Sequence, residues 1–142
     1  MIAAMKKEDL PKAGSALEAE LAVQFRLHNI TPETEYRFHD ERRWRFDFAW
    51  PELLFAVEVE GVTYDGGRHQ RVEGFENDLE KYQSAMLLGW CVYRVTRKQI
   101  KNLDALTTVQ LMLARYTERD QAMQLVLGNL SDGNTSKNTG IL

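Results

Sequence analysis

Polar and apolar positions alternate most regularly between Arg42 and Gly61, where the chain reads RRWRFDFAWPELLFAVEVEG. Trp44, Phe46, Phe48 and Trp50 alternate with Arg45, Asp47 and Ala49, and a period of two predicts a strand with one buried face. Pro51 and Glu52 interrupt the run, and Leu53 to Glu60 predicts a second strand. The two predict an antiparallel hairpin with Trp50 opposite Phe55 and Phe48 opposite Val57, turning at Glu52 and Leu53. On that register Phe46, Phe48, Trp50, Phe55, Val57 and Val59 share the core face. Leu54 and Ala56 keep the second strand apolar on its other side until its acidic end, which predicts a central strand buried on both faces.

The rest of the chain predicts elements packed around this hairpin. Met1 to Gly14 lacks periodicity and is expected to be a flexible leader. Ser15 and Glu18 have capping-box spacing, which gives Glu18 a structural role at the start of a helix whose apolar arc holds Leu17, Leu21, Gln24, Leu27 and His28. Glu20 falls inside that arc, and His28 reads as a packing or capping residue. Glu35 to His39 predicts the first strand, with Tyr36 and Phe38 on one side. A glycine-rich loop follows Gly61 and ends near Gly74. Phe75 to Leu88 predicts a helix buried through Phe75, Leu79, Tyr82 and Met86, stopped by Gly89. Trp90 to Thr96 predicts a strand. Asn102 caps a last helix reaching Leu127, and residues 128–142, rich in Asn, Ser, Thr and Gly, are expected to be disordered. The order α-β-β-β-α-β-α predicts a mixed α/β (α+β) domain over residues 15–127, with a central mixed sheet of four strands flanked by helices.

Composition narrows the function classes. A chain of 142 residues with 44% hydrophobic and 27% charged positions has the make-up of one soluble globular domain. The apolar start, Met1 to Met5, is too short for a signal peptide or a membrane span, and the expected location is cytoplasmic, in a bacterium or a bacterial host. A single cysteine, Cys91, excludes an internal disulfide and a thiolate zinc site and reads as a small buried strand residue. The net charge of −3 gives no bulk attraction to nucleic acid. Basic residues are nonetheless clustered: Arg42, Arg43 and Arg45 on the hairpin, Arg68 and Arg71 around His69, and Arg94, Arg97, Lys98 and Lys101 in a run without acids. Around an acidic centre, such patches suit a phosphodiester.

That acidic centre follows from register. Asp47 lies beside Glu58 and Arg45 opposite Glu60, so three carboxylates project from one face, with opposed Cβ atoms roughly 5 Å apart. Their repulsion is relieved by a raised pKa, an inserted cation or a bound metal. Oxygen ligands of this kind suit magnesium or manganese. A solvent-exposed face with an Arg45–Glu60 ion pair is the simpler alternative. Glu20 joins the acids if its helix packs beside the hairpin, and His69 is a candidate base or phosphate contact.

An aspartate opening a hairpin, ten residues, and then Glu-x-Glu ending the next strand, with an acidic helix before and an α–β unit after, resembles the PD-(D/E)XK nuclease superfamily. Within it, the hairpin followed by GGRH and FENDLEKYQSAMLLGW is similar to small phage-type endonucleases and, more distantly, very-short-patch-repair enzymes. The resemblance spans Ser15 to Thr96. It implies a restriction-endonuclease-like core and a magnesium- or manganese-dependent DNA endonuclease. Asp47 and Glu58, with Glu20 and the Val59 carbonyl, would be metal ligands, and Asp47, Glu58, Glu60 and Lys81 catalytic. Glu60 stands where most members carry lysine, and Lys81 is the candidate replacement. Arg43, Arg45, Arg68, His69 and Arg94 would contact DNA, and cutting both strands implies a homodimer. The alternatives are a nuclease-fold DNA-binding module without catalysis, for which Glu60 is the motive, and an interaction protein with structural carboxylates.

Overall fold

A computed structural model describes residues 16–61 and 68–136. The expected leader, the Ser15 cap, the loop over residues 62–67 and the last six residues lie outside the described residues. The elements are α1 (Ala16–Leu27), β1 (Glu33–Arg37), β2 (Arg45–Trp50), β3 (Phe55–Glu60), α2 (Arg68–Leu87), β4 (Cys91–Thr96), α3 (Arg97–Lys101) and α4 (Asp104–Ser136). They divide into two compact units, the second beginning at Thr107 within α4. The first contains the whole sheet.

The fold is the expected mixed α/β architecture. The sheet runs β1-β2-β3-β4, with the first three strands antiparallel and β4 parallel to β3. Trp50 pairs with Phe55 and Phe48 with Val57. Pro51–Leu53 makes a 3-10 turn closed by Leu54 in the left-handed region. Phe55, Ala56, Val57 and Glu58 are all buried, as befits a strand with partners on both edges and helices on both faces.

Alternate residues of β2 and β3 address different helices. Phe25 of α1 meets Phe48 edge-on at 5.2 Å and Trp50 at 5.8 Å, and Trp50 stacks on Phe55. On the opposite face Ala49 and Ala56 pack with Ala85 of α2 and with Trp90. Phe46 departs from the expected alternation. It belongs to this second cluster, stacked on Phe38 at 4.1 Å and set against Trp90 at 5.0 Å, so it does not share the Phe48 face. The irregularity sits in the neighbouring strand: Glu35 has φ 50°, and the ladder passes from Thr34↔Phe48 to Tyr36↔Phe46 without pairing it to Asp47. The break in alternation therefore falls at Asp47.

The structure differs from further expectations. The α1 face is set by Leu21 and Phe25, one turn apart, while Leu27 is exposed. On α2 the residue that enters the core is Ala85, and the expected stripe of Phe75, Leu79 and Met86 is more than half exposed. That helix also starts at Arg68, so Arg68 to Gly74 is helical and not loop. Cys91 is exposed because β4 is an edge strand. Beyond β4, Thr96 and Gln99 form a reciprocal capping box that opens α3. The Asn102 side chain then accepts from the Asp104 N–H as α4 begins. Helix α4 continues through Gly128 to Ser136, where disorder was expected. Once nucleated, a helix gains one hydrogen bond per added residue, which carries it over weak formers.

Candidate functional site

The three hairpin acids point to three different partners. Asp47 leaves β2 where alternation breaks, and one of its oxygens, Oδ2, accepts the Val59 N–H at 2.8 Å. Val59 thus meets Asp47 through its amide. Glu58, the next residue back along β3, is 8% exposed and keeps to the α2 face. Its Oε1 receives Lys81 Nζ and its Oε2 the Tyr82 hydroxyl, both from α2. Lys81 also lies 5.6 Å from the centroid of Phe46, so the displaced ring forms part of the wall around the ammonium. Glu60 accepts Arg94 Nε of β4 at 2.5 Å, and that guanidinium lies over the Tyr82 ring. The Arg45–Glu60 pair considered from sequence is replaced: Arg45 Nη1 lies 4.0 Å from Glu35.

Lys81 is not among the expected stripe of Phe75, Leu79, Tyr82 and Met86, yet its side chain is largely buried. The reason is the helix phase. With Ala85 facing the sheet, Lys81 lies one turn earlier on the same side.

Asp47 has different company. Among the described residues, carboxylate oxygens of Glu18 on α1, Glu35 on β1 and Asp47 on β2 lie within 4.8 Å of one another. Burial raises the Asp47 carboxyl from 3.8 to about 7; the Val59 N–H opposes the rise, the charges of Glu18 and Glu58 add to it, and Lys81 offsets part. An acid whose carboxyl is raised chiefly by burial, with two more carboxylates converging on it, has the donor chemistry of a hard divalent cation. The residues fit such an ion. Tyr82 is pushed up strongly, first by burial and then by its bond to Glu58, so its hydroxyl stays a proton donor. The Arg94 guanidinium is raised by its bond to Glu60 and stays charged.

Glu18 and Glu35 are the members of this carboxylate cluster that sequence reasoning missed. Glu18 had been assigned to a cap, and the helix acid expected in the site was Glu20. The structure turns Glu20 the other way, onto Lys101 Nζ of α3 at 2.6 Å. Two helical residues are separated by about 200°, so only one of the pair can face the hairpin. The signal was the Leu21–Phe25 spacing: phased on that pair, Glu18 lies on the buried side. Glu35 had no signal, because its left-handed backbone cannot be read from the surrounding residues.

The remaining expected residues are spread around this centre. Arg43 and Arg45 are exposed. Arg68 and His69 fall in the first turn of α2, and their side chains lie outside the described residues. Arg42 stacks on Trp44 at 4.2 Å and bonds Asn77 and Glu80, tying the segment before β2 to α2. His39 Nδ1 accepts the Glu41 and Arg42 amides, which fixes the bend between β1 and β2.

With this geometry in place, comparison with solved structures defines the class of fold. The catalytic domain of the homing endonuclease I-Bth0305I superposes with a TM-score of 0.54, covering 72% of this chain and 98% of that domain at 16% identity. The chain thus has a nuclease-like fold. Among curated sequences, two proteins of Mycobacterium tuberculosis, one from each of two strains and both described as uncharacterized, are 27% identical over 111 residues. These residues are 76% of this chain, and the match spans 39% of the relatives' length. No family model matches the sequence. No helix among the described residues is long and apolar enough to cross a membrane.

Proposed function

We propose that the chain is a divalent-metal-dependent DNA endonuclease of the PD-(D/E)XK type. The observation that carries this reading is the meeting of Glu18, Glu35 and Asp47 beside a Glu58 neutralised from within, on a nuclease-like fold. Glu18, Glu35 and Asp47 would hold magnesium or manganese. The chemistry that such an ion supplies when bound is a more acidic water and positive charge opposite the phosphate.

The chain's own groups divide the remaining work. Val59 N–H fixes one Asp47 oxygen, leaving the other for the cation. Glu58 and the Tyr82 hydroxyl position Lys81, whose ammonium occupies the role of the lysine missing at position 60 and offers charge to the phosphate or orients the attacking water. Arg43 and Arg45 contact backbone phosphates, with Arg68 and His69 as further candidates from α2. Such contacts position DNA without reading its sequence.

A panel of labelled linear, nicked and branched DNAs tests this, incubated with magnesium or manganese beside Asp47→Asn protein. Cleavage is expected with either ion, none with chelator and none from the variant. Full cleavage by Asp47→Asn would falsify the assignment. A second reading rests on Glu60, which Arg94 holds where a lysine is usual. It makes the chain a DNA-binding module without catalysis, and predicts binding indifferent to chelation with no cleavage of any substrate in the panel.

A further inference from the structure

The end of β4 carries positive charge that the acid cluster does not use, and register fixes where it lies. β4 runs parallel to β3, with Val59 paired to Val95 and Glu60 to Thr96. The Val59 amide that holds Asp47 at 2.8 Å is therefore one strand spacing, ~4.8 Å, from Val95, and Arg97 follows two residues, ~7 Å, further along the chain. These steps put the Arg97 backbone on the order of 10 Å from the Asp47 carboxylate. Helix α3 begins at Arg97 and is firmly seated. Thr96 and Gln99 cap it, Ile100 is fully buried, and the Ile100 carbonyl accepts Gln24 Nε2 of α1 at 3.1 Å. The same α1 carries Glu18 of the acid cluster. Four cations crowd this turn, and their charges are met differently. Arg94 is matched by Glu60 at 2.5 Å and Lys101 by Glu20 at 2.6 Å. Arg97 and Lys98, between them, are exposed, and among the described residues neither side chain pairs with an acid.

We propose that Arg97 and Lys98 hold backbone phosphates of the DNA beside the acid cluster, an inference that rests on the endonuclease reading and adds to it the residues that seat the substrate. A nucleic-acid strand brought to Glu18, Glu35 and Asp47 meets like charge, on a protein whose net charge is −3. Cations already matched by a carboxylate, such as Arg94 and Lys101, bring little net field against that repulsion. Two unmatched ones do. Their backbone is held by a cap, a buried isoleucine and a bond from α1, so the charges are carried on a fixed support and not on a loose loop. Arginine offers a fork of donors to phosphate oxygens and lysine a point charge. Neither reads a base, so the pair sets affinity and strand position for every sequence alike.

Fluorescence anisotropy of the full chain with a labelled linear duplex and a labelled branched DNA, in chelator and across about 50 to 200 mM sodium chloride, reads phosphate contacts as a salt slope. Each contact adds about 0.9 to the slope of log affinity against log salt. Arg97→Gln and Lys98→Gln should each make it shallower by about 0.9 and the double variant by about 1.8, with affinity lowered on the order of 10-fold per contact near ~0.1 M salt. Lys101→Gln removes the same charge from a matched pair and should leave the slope unchanged. Arg97→Lys should keep it. Both side chains are exposed, so circular dichroism and the unfolding midpoint stay as in the wild type. A wild-type slope in both glutamine variants, or an equal loss in Lys101→Gln, overturns the inference and leaves the endonuclease reading standing. A wild-type chain that binds neither DNA overturns both. A lost slope in a chain that cleaves nothing with magnesium or manganese upholds these contacts and overturns the endonuclease reading in favour of a binding module.

Discussion

Asp47 and Glu58 stand one step beyond the Phe48–Val57 pair of the same hairpin, and they are neutralised in opposite ways. Glu58 has its counter-charge built in: Lys81 on one oxygen, the Tyr82 hydroxyl on the other, and a ring wall behind them. Asp47 has one backbone N–H and two more acids, so burial and repulsion hold its proton on. A carboxylate complete within the protein is a scaffold for its partner, here the lysine. A carboxylate left incomplete is a place for a cation from outside. Two acids that look interchangeable in the sequence are thus given different surroundings by what α1 and α2 bring to them.

The largest effect expected on this contrast is catalytic. Asp47→Asn should lower cleavage by ~10³-fold or more, because it removes the central oxygen of the proposed metal site, while the metal-free protein becomes no less stable. Isothermal titration with manganese checks the same point, with binding lost in Asp47→Asn and weakened in Glu18→Gln. If manganese bound equally well to all three proteins, the distinction between the two acids would collapse.

Glu58→Gln is expected to act on stability first. Removing one member of a buried ion pair strands the other, at a cost of ~3–5 kcal/mol, measurable by urea unfolding. Adding Lys81→Met to that variant should recover most of the loss, since the pair and not the carboxylate alone is what the interior tolerates. This makes Glu58→Gln an ambiguous probe of catalysis unless its folding is measured beside its activity.

A smaller effect follows from pH. The folded Asp47 carboxyl ionises near 7 and the unfolded one near 3.8, so between those values the folded chain holds the extra proton. The stabilising contribution is therefore complete below about pH 4 and is lost as pH rises through 7. With partial exposure screening the site, the change is on the order of 1–2 kcal/mol. Thermal melts of the metal-free protein should show it between pH 5 and pH 8, and Asp47→Asn should flatten the curve. Saturating manganese should reverse the slope, because metal and proton compete for the same oxygens. The smallest effect is at Glu20: Glu20→Ala breaks a partly exposed pair with Lys101, and should cost ~1 kcal/mol or less with no change in cleavage.

The contrast between the two acids also marks what could be read from residues. The alternation from Trp44 to Trp50, the turn at Glu52 and Leu53 and the apolar run from Leu53 determined the hairpin, its register and the central place of β3. Period and turn chemistry are local properties, written in neighbouring residues. The Glu-x-Glu spacing likewise determined that acids would gather at the end of β3. The sequence did not determine which acid would be completed from within. That depended on the phase of α1, set by Phe25, which chose Glu18 over Glu20. It depended on the phase of α2, set by Ala85, which turned Lys81 and Tyr82 inward and left Phe75 and Met86 outside. It depended also on the left-handed Glu35, which stands beside the point where the alternation of β2 breaks and Phe46 joins the other face. Each is a matter of how one element rotates or bends against another. Such choices are made by long-range packing, where a rotation of one residue on a helix moves a charge by about 100°, and they leave no mark in the local pattern.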